Sequence, residues 1–205
     1  MSIARLLVAT TNQDKLREIR ALLVGEATDL LTLRDLPHID EPEETGATFA
    51  ENALLKARHY AKASGLITAA EDSGLVIDAL DGDPGVRSAR FIRPDATYAE
   101  RFAVILRKLA EHPERGRAAR FMCAVAVVNG DRTLFETVGT IEGEIADKPR
   151  GDRGFGYDPV FYYPPYKTTL ADVNEEAKLA VAHRGVAFRA LAEWLRGHEG
   201  ETEKE

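Results

Sequence analysis

Two hydroxyls, an amide and a cation follow one another where a short apolar run gives way to helical spacing. The run Leu6-Leu7-Val8-Ala9 leads into Thr10-Thr11-Asn12-Gln13-Asp14-Lys15, and Leu16, Ile19, Leu22 and Leu23 then recur at helical intervals. Such a strand-to-helix junction can hold an anion, because first-turn N–H groups have no intrahelical partner and carry the positive end of the macrodipole. Asn12 taken alone serves equally well as a helix cap. A second stretch, Glu41-Pro42-Glu43-Glu44-Thr45-Gly46, places three carboxylates ahead of a helix start, and by itself it also reads as a solvated acidic loop. A third, Glu71-Asp72-Ser73-Gly74, sets adjacent acids between apolar runs. A carboxylate at the edge of the interior costs several kcal/mol unless it is paired or binds a cation. Two or three carboxylates with open positions suit Mg²⁺, which keeps waters and reaches substrate phosphates; a turn in which Asp72 accepts local N–H bonds fits the same pattern. The fourth stretch, Gly154-Phe155-Gly156-Tyr157-Asp158-Pro159, offers close backbone approach at its glycines and aromatic faces for stacking, with Lys178 and His183-Arg184-Gly185 downstream.

The elements that must position these residues alternate between strand-like and helix-like segments. Residues 5–9 and 30–33 read as strands around a first helix that should stop near Gly25. Thr48-Phe49-Ala50-Glu51 is a capping-box pattern, opening a helix that runs to Gly65. Residues 66–70 and 75–80 read as two strands separated by the Glu71 to Gly74 loop. Thr97-Tyr98-Ala99-Glu100 is a second capping box, before a helix with Phe102, Ile105, Leu106 and Leu109 on one face. Residues 121–128 and 133–138 read as a hairpin across Asn129-Gly130-Asp131, and a last helix spans about 175–196. With no internal repeat or low-complexity linker, the pattern points to an α/β fold, a mixed sheet with helices packed against it. Lys178 and His183 lie five residues apart and cannot share a face with Arg184 on one straight helix, so a break before His183 is expected.

The chain of 205 residues suits one domain or a tightly joined pair of lobes, and residues 1–198 are read as that domain. Its net charge of −7, from 27 basic and 34 acidic residues, argues against broad affinity for nucleic acid or membrane surfaces, which depends on summed positive potential. An anionic ligand must then meet a local cluster of cations or a metal. The acidic stretch 199–205 is expected to be disordered. Cys123, the single cysteine, sits in an apolar run, which excludes an intramolecular disulfide and points to a buried structural thiol in a cytoplasmic protein. No stretch approaches the ~18 consecutive apolar residues of a membrane span.

These motifs in this order resemble the inosine/xanthosine triphosphate pyrophosphatase family. The resemblance runs from about Leu6 to Leu195 and is carried by Thr10-Thr11-Asn12 with Lys15 and Glu18, Glu43-Glu44-Thr45-Gly46 with Glu51-Asn52-Ala53 and Lys56, Asp72-Ser73-Gly74-Leu75, Ser88-Ala89-Arg90-Phe91, the Gly154 to Phe161 stretch, and Lys178 with His183-Arg184-Gly185. It implies an elongated, two-lobed α/β fold with the active site in the cleft between the lobes, and a homodimer. It implies Mg²⁺-dependent hydrolysis of ITP, dITP and XTP to the nucleoside monophosphate and pyrophosphate. Asp72 would be the catalytic carboxylate and a metal ligand, with Glu43 as second ligand. Thr10, Thr11, Asn12, Gln13, Asp14, Lys15 and Ser73 would bind the nucleotide, and Phe155, Gly156, Tyr157, Asp158, Lys178, His183 and Arg184 would line the base and ribose pocket.

Such a reaction needs an in-line water, neutralised phosphate oxygens and a stabilised leaving pyrophosphate, for which Lys15 and Lys56 supply the positive charge. The 6-keto oxygen of hypoxanthine or xanthine accepts a hydrogen bond where the 6-amino group of adenine donates one. Donors at Lys178, Arg184 or nearby backbone would be left unpaired by ATP, at roughly 1–3 kcal/mol each. A non-catalytic anion-binding module would gain nothing from Glu43 and Asp72 beside a phosphate unless a metal were present. A P-loop reading fails for want of Gly-x-x-x-x-Gly-Lys-Ser/Thr.

Overall fold

The protein is described by a computed structural model covering residues 3–26 and 28–198; the acidic stretch 199–205 lies outside the described residues. The strands are β1 (Arg5–Val8), β2 (Asp29–Thr32), β3 (Thr68–Ile77), β4 (Ala118–Asn129), β5 (Arg132–Ile145), β6 (Phe161–Tyr163) and β7 (Thr168–Thr169). The helices are α1 (Gln13–Leu22), α2 (Phe49–Ser64), α3 (Tyr98–Glu111), α4 (Glu175–Val181) and α5 (His183–His198). The strands form one mixed sheet in the order β2-β1-β3-β4-β5-β6-β7. β1 runs parallel to β2 and β3, while β6 is antiparallel to β5 and β7.

The chain divides into two compact units: residues 1–72, 123–139 and 183–205 in the first, 73–122 and 140–182 in the second. In the first unit, Leu6 and Val8 of β1 and Cys123, Val125 and Val127 of β4 pack with Leu16 and Ile19 of α1 and Phe188, Leu191 and Leu195 of α5. Each such side chain stabilises the fold by about 1.5–3 kcal/mol when fully buried. In the second unit, Phe102, Ile105 and Leu109 of α3 pack with Leu75, Ile77 and Phe161, and the rings of Phe121 and Phe161 stack at 4.6 Å.

The helix starts follow the caps. Asn12 accepts from the N–H groups of Asp14 and Lys15 at 3.0 and 3.1 Å. Thr97 and Glu100 form the complete reciprocal box. At α2 only half of the expected box forms: Thr48 accepts from Glu51 N at 3.1 Å, but the Glu51 carboxylate accepts from Ala47 N at 2.7 Å. Gly65 ends α2 in the left-handed region at φ 71°, where a side chain would be strained.

The acidic segment of β3 differs from the sequence reading. Glu71-Asp72-Ser73-Gly74 is no loop; it lies inside β3, which runs unbroken from Thr68 to Ile77. Polar residues suggested an interruption, yet both acids are buried opposite cations, so the strand continues through them. The expected break before His183 is present: Ala182 is extended (φ −66°, ψ 153°) between α4 and α5.

Candidate active site

Adjacent residues of a strand point to opposite faces, and this separates Glu71 from Asp72. Asp72, 5% exposed, turns toward α2. Its Oδ1 accepts from Lys56 Nζ at 2.8 Å and its Oδ2 from Asn52 Nδ2 at 3.2 Å. Asn52 and Lys56 are four residues apart on α2 and therefore share one face. Lys56 also pairs with Glu44 Oε1 at 2.5 Å, so its ammonium lies between two carboxylates. Gly46 completes the arrangement: its N–H donates to Asn52 Oδ1 at 2.8 Å, and a Cβ at that position would come within 2.6 Å of the same oxygen. Burial pushes the Asp72 carboxyl up, against the opposing pull of Lys56. Burial would lower the Lys56 ammonium, but Asp72 and Glu44 outweigh it and raise it.

Glu71 belongs to a second cluster. Lys15 Nζ lies 2.8 Å from its Oε1, Arg184 Nη2 donates to the same oxygen at 3.3 Å, and Cys123 Sγ donates to Oε2 at 3.3 Å. Arg184 Nη1 donates in turn to Glu18 Oε2 at 2.7 Å. Burial alone would raise the Glu71 carboxyl; Arg184 first and Lys15 next hold it well below the usual carboxylate range. Burial pushes the Cys123 thiol well up, and Glu71 adds to it, so this cysteine is inert as a nucleophile. In this cluster Lys15 is the member that reaches solvent, its side chain 19% exposed.

The second unit holds its own group. Asp158, 3% exposed, accepts from Lys178 Nζ at 2.6 Å and from Phe155 N at 2.9 Å. The Lys178 ammonium sits 4.6 Å from the centre of the Phe155 ring, a cation–π contact. Gly154 has φ 69°, and a Cβ there would collide with the Asp158 carboxylate. The Tyr157 hydroxyl donates to Ser88 O at 2.9 Å, and its ring meets Tyr98 edge-on at 5.3 Å. The turn therefore holds the half-buried Phe155 with one ring face toward a cation.

The other expected site residues lie around these clusters. Glu43, expected as a second metal ligand, is exposed, while its neighbour Glu44 pairs with Lys56. Arg184, 2% exposed, does not turn out toward a ligand: two carboxylates take its guanidinium into the core of the first unit. His183, 5% exposed, starts α5 beside it. Thr10, Thr11, Gln13 and Asp14 surround the Asn12 cap, where Thr10 Oγ1 accepts from Asn12 N at 3.3 Å and Thr11 Oγ1 donates to Glu41 at 3.4 Å. Ser73 is half-buried at the next position of β3. Asn52 and Glu18 belong to the clusters without having been singled out for them. Their signal was spacing, Asn52 one turn before Lys56 and Glu18 one turn after Lys15.

The residues fit a divalent cation of the Mg²⁺ class. Asp72 and Glu44 offer hard oxygens on either side of a point now neutralised by an ammonium, and Mg²⁺ is held by one or two carboxylates with water and phosphate completing its shell. Among the described residues no group of three or more His, Cys, Asp or Glu side chains is placed to hold a metal ion.

The Ham1 family model matches residues 6–194. The chain belongs to the Ham1 family. It is 44% identical over 202 residues to the dITP/XTP pyrophosphatase of Bacillus cereus, spanning 96% of this chain and 98% of that protein. It is 46% identical over 193 residues to the dITP/XTP pyrophosphatase of Geobacter sulfurreducens, spanning 94% and 97%. The structure of a HAM1 protein from Coxiella burnetii superimposes with a TM-score of 0.86 at 40% identity, covering 96% of this chain and all of that one. Membership places the mixed sheet and its flanking helices within the Ham1 fold. No helix among the described residues is long and apolar enough to cross a membrane.

Proposed function

We propose that this protein hydrolyses the non-standard purine nucleoside triphosphates ITP, dITP and XTP to the monophosphate and pyrophosphate, and so removes them from the nucleotide pool. The observation that carries this reading is Asp72, a buried carboxylate with a raised pKa held between Lys56 and Asn52, in a chain whose Ham1 relatives bear the name dITP/XTP pyrophosphatase.

Lys15 and Lys56 neutralise the triphosphate, a task the acidic chain as a whole cannot perform. Thr10, Thr11, Asn12, Gln13 and Asp14, at the start of α1, orient the phosphates, and Ser73 adds a hydroxyl. Asp72 orients a water in line with the α-phosphorus and takes its proton at a carboxylate oxygen; its raised pKa suits that transfer. The new P–O bond forms as the bond from the α-phosphorus to the bridging oxygen breaks, and pyrophosphate leaves. Mg²⁺ held by Asp72 and Glu44 would supply the charge neutralisation that phosphoryl oxygens demand as that bond breaks. For the base, Phe155 offers a ring face, and Lys178 and the backbone N–H groups near Gly156 and Tyr157 are donors suited to a 6-keto oxygen, with Asp158 holding Lys178 in place. Arg184 acts as the counter-ion that fixes Glu71 and, through it, Lys15. A homodimer and a cytoplasmic location complete the reading, to be tested by sedimentation equilibrium and by imaging of a tagged chain.

Pyrophosphate release from ITP, dITP, XTP, ATP and GTP, with and without EDTA, tests the assignment. The expected outcome is a preference for ITP and XTP over ATP of about 10²–10⁴ in kcat/KM, the worth of two unpaired donors, and loss of activity in EDTA that Mg²⁺ restores. Equal rates on ATP, or release of inorganic phosphate in place of pyrophosphate, would overturn it.

A further inference from the structure

Arg101 of α3 is 3% exposed, yet no carboxylate of the described residues pairs with it. Its Nε is buried without a hydrogen-bond partner, and its Nη2 reaches only the Pro94 carbonyl, at 3.3 Å. The other buried arginine, Arg184, has two carboxylates. A guanidinium taken out of water without a counter-ion destabilises the fold, so its retention calls for a reason outside stability.

Its surroundings supply one. The guanidinium lies 4.9 Å from the centre of the Tyr98 ring, and Tyr98 meets Tyr157 edge-on. The Tyr157 hydroxyl donates to Ser88 O at 2.9 Å, which anchors that phenol. Phe102, the next residue of α3, packs 6.1 Å from the same Tyr157 ring. Tyr157 sits between Phe155 and Asp158, the residues that carry the cation–π contact and the Lys178 ion pair. The carbonyl that Arg101 reaches belongs to a strained segment, since Ile92, a β-branched residue 46% exposed, takes φ 72° two positions earlier.

We propose that Arg101 is a positioning residue for base discrimination: its guanidinium over the Tyr98 ring holds the edge contact of Tyr98 with Tyr157, and so fixes the 155–158 turn and the placement of Phe155 and Lys178 toward a 6-keto purine. The inference rests on the reading that this turn meets the base. The charge acts through Tyr98 and, by its ring contact, Tyr157, and makes no contact with substrate.

Arg101→Met keeps length and removes charge, and Arg101→Lys keeps charge without the planar fork. For Arg101→Met the expected result is a fall in the ITP-to-ATP ratio of kcat/KM of about ten- to a hundredfold, the scale on which a displaced positioning group acts. Its melting temperature should be unchanged or raised, because a buried charge exchanged for an apolar chain of like size is neutral to stabilising. Arg101→Lys should recover part of the ratio. An unchanged ratio in Arg101→Met overturns the proposal whatever the melting temperature, and so does a fall matched by an equal loss of folded protein in circular dichroism. Phe155→Ala separates the two levels: if it leaves the ratio untouched, the reading of the turn as the base site has failed. If it lowers the ratio and Arg101→Met does not, only the role of Arg101 has failed.

Discussion

Asp72→Asn separates catalysis from folding. The substitution keeps the shape of the side chain and replaces one acceptor oxygen with an amide. Asn52 can still donate to the remaining oxygen, while Lys56 loses its 2.8 Å charge-assisted bond. Breaking a buried ion pair costs about 3–5 kcal/mol when the surviving charge is stranded. Lys56 is not stranded, since Glu44 stays 2.5 Å away and the Glu71 carbonyl 3.4 Å away, so the loss should be nearer the ~1–3 kcal/mol of one hydrogen bond to a charge. At roughly 2–4 °C per kcal/mol for a chain of this size, the melting temperature should fall by about 2–12 °C and leave the protein folded at assay temperature. Turnover should fall much further, by roughly 10²–10⁴, because both the proton acceptor and a metal-holding oxygen are lost. That factor equals about 2.7–5.4 kcal/mol of barrier, against about 1–3 kcal/mol of stability. Pyrophosphate release from ITP at saturating Mg²⁺, beside a circular dichroism melt of the same sample, reads both quantities. A folded Asp72→Asn protein turning over within threefold of the wild type would refute the reasoning.

Lys15→Ala should raise KM for ITP far more than it weakens binding of inosine, since an ammonium at the α1 N-terminus meets phosphates and not the base; equal weakening in calorimetric titrations would make Lys15 purely structural. Arg184→Ala removes the guanidinium that Glu18 and Glu71 share, leaves Glu71 with Lys15, and should cost about 3–5 kcal/mol of stability, with ITP and ATP rates falling together; a selective loss of the ITP rate alone would return Arg184 to the base. Glu71 titrates well below its unfolded value of about 4.3, so its stabilisation is fully present above that pH and is lost as pH falls toward the folded value. Melting temperature should therefore drop as pH falls below about 4.3, and Glu71→Gln should flatten that slope; an unaltered slope would show that other carboxylates govern acid unfolding. Gly46→Ala should lower both stability and turnover, because its methyl would press on the oxygen of Asn52 that orients the amide toward Asp72; wild-type activity would show that the loop yields without disturbing the site.

Local chemistry determined much of this protein from sequence alone. The caps at Asn12, Thr48 and Thr97, the stop at Gly65 and the break before His183 depend on backbone groups a few residues apart, and each stands where the residue types place it. Membership of the family was legible in the same way, as ordered motifs. Partnership was not. That Glu44 meets Lys56 turns on how one loop enters a helix, and whether Arg184 faces a ligand or the core turns on two carboxylates 166 and 113 positions away in the chain. The acids at 71 and 72 looked like a loop because polarity was read without its counter-ions. In the fold, the pleat of β3 sends one toward Lys15 and Arg184 and the other toward Lys56, and the strand passes through both. The cost of burying a charge is set by what stands opposite it, and only tertiary structure brings those groups together.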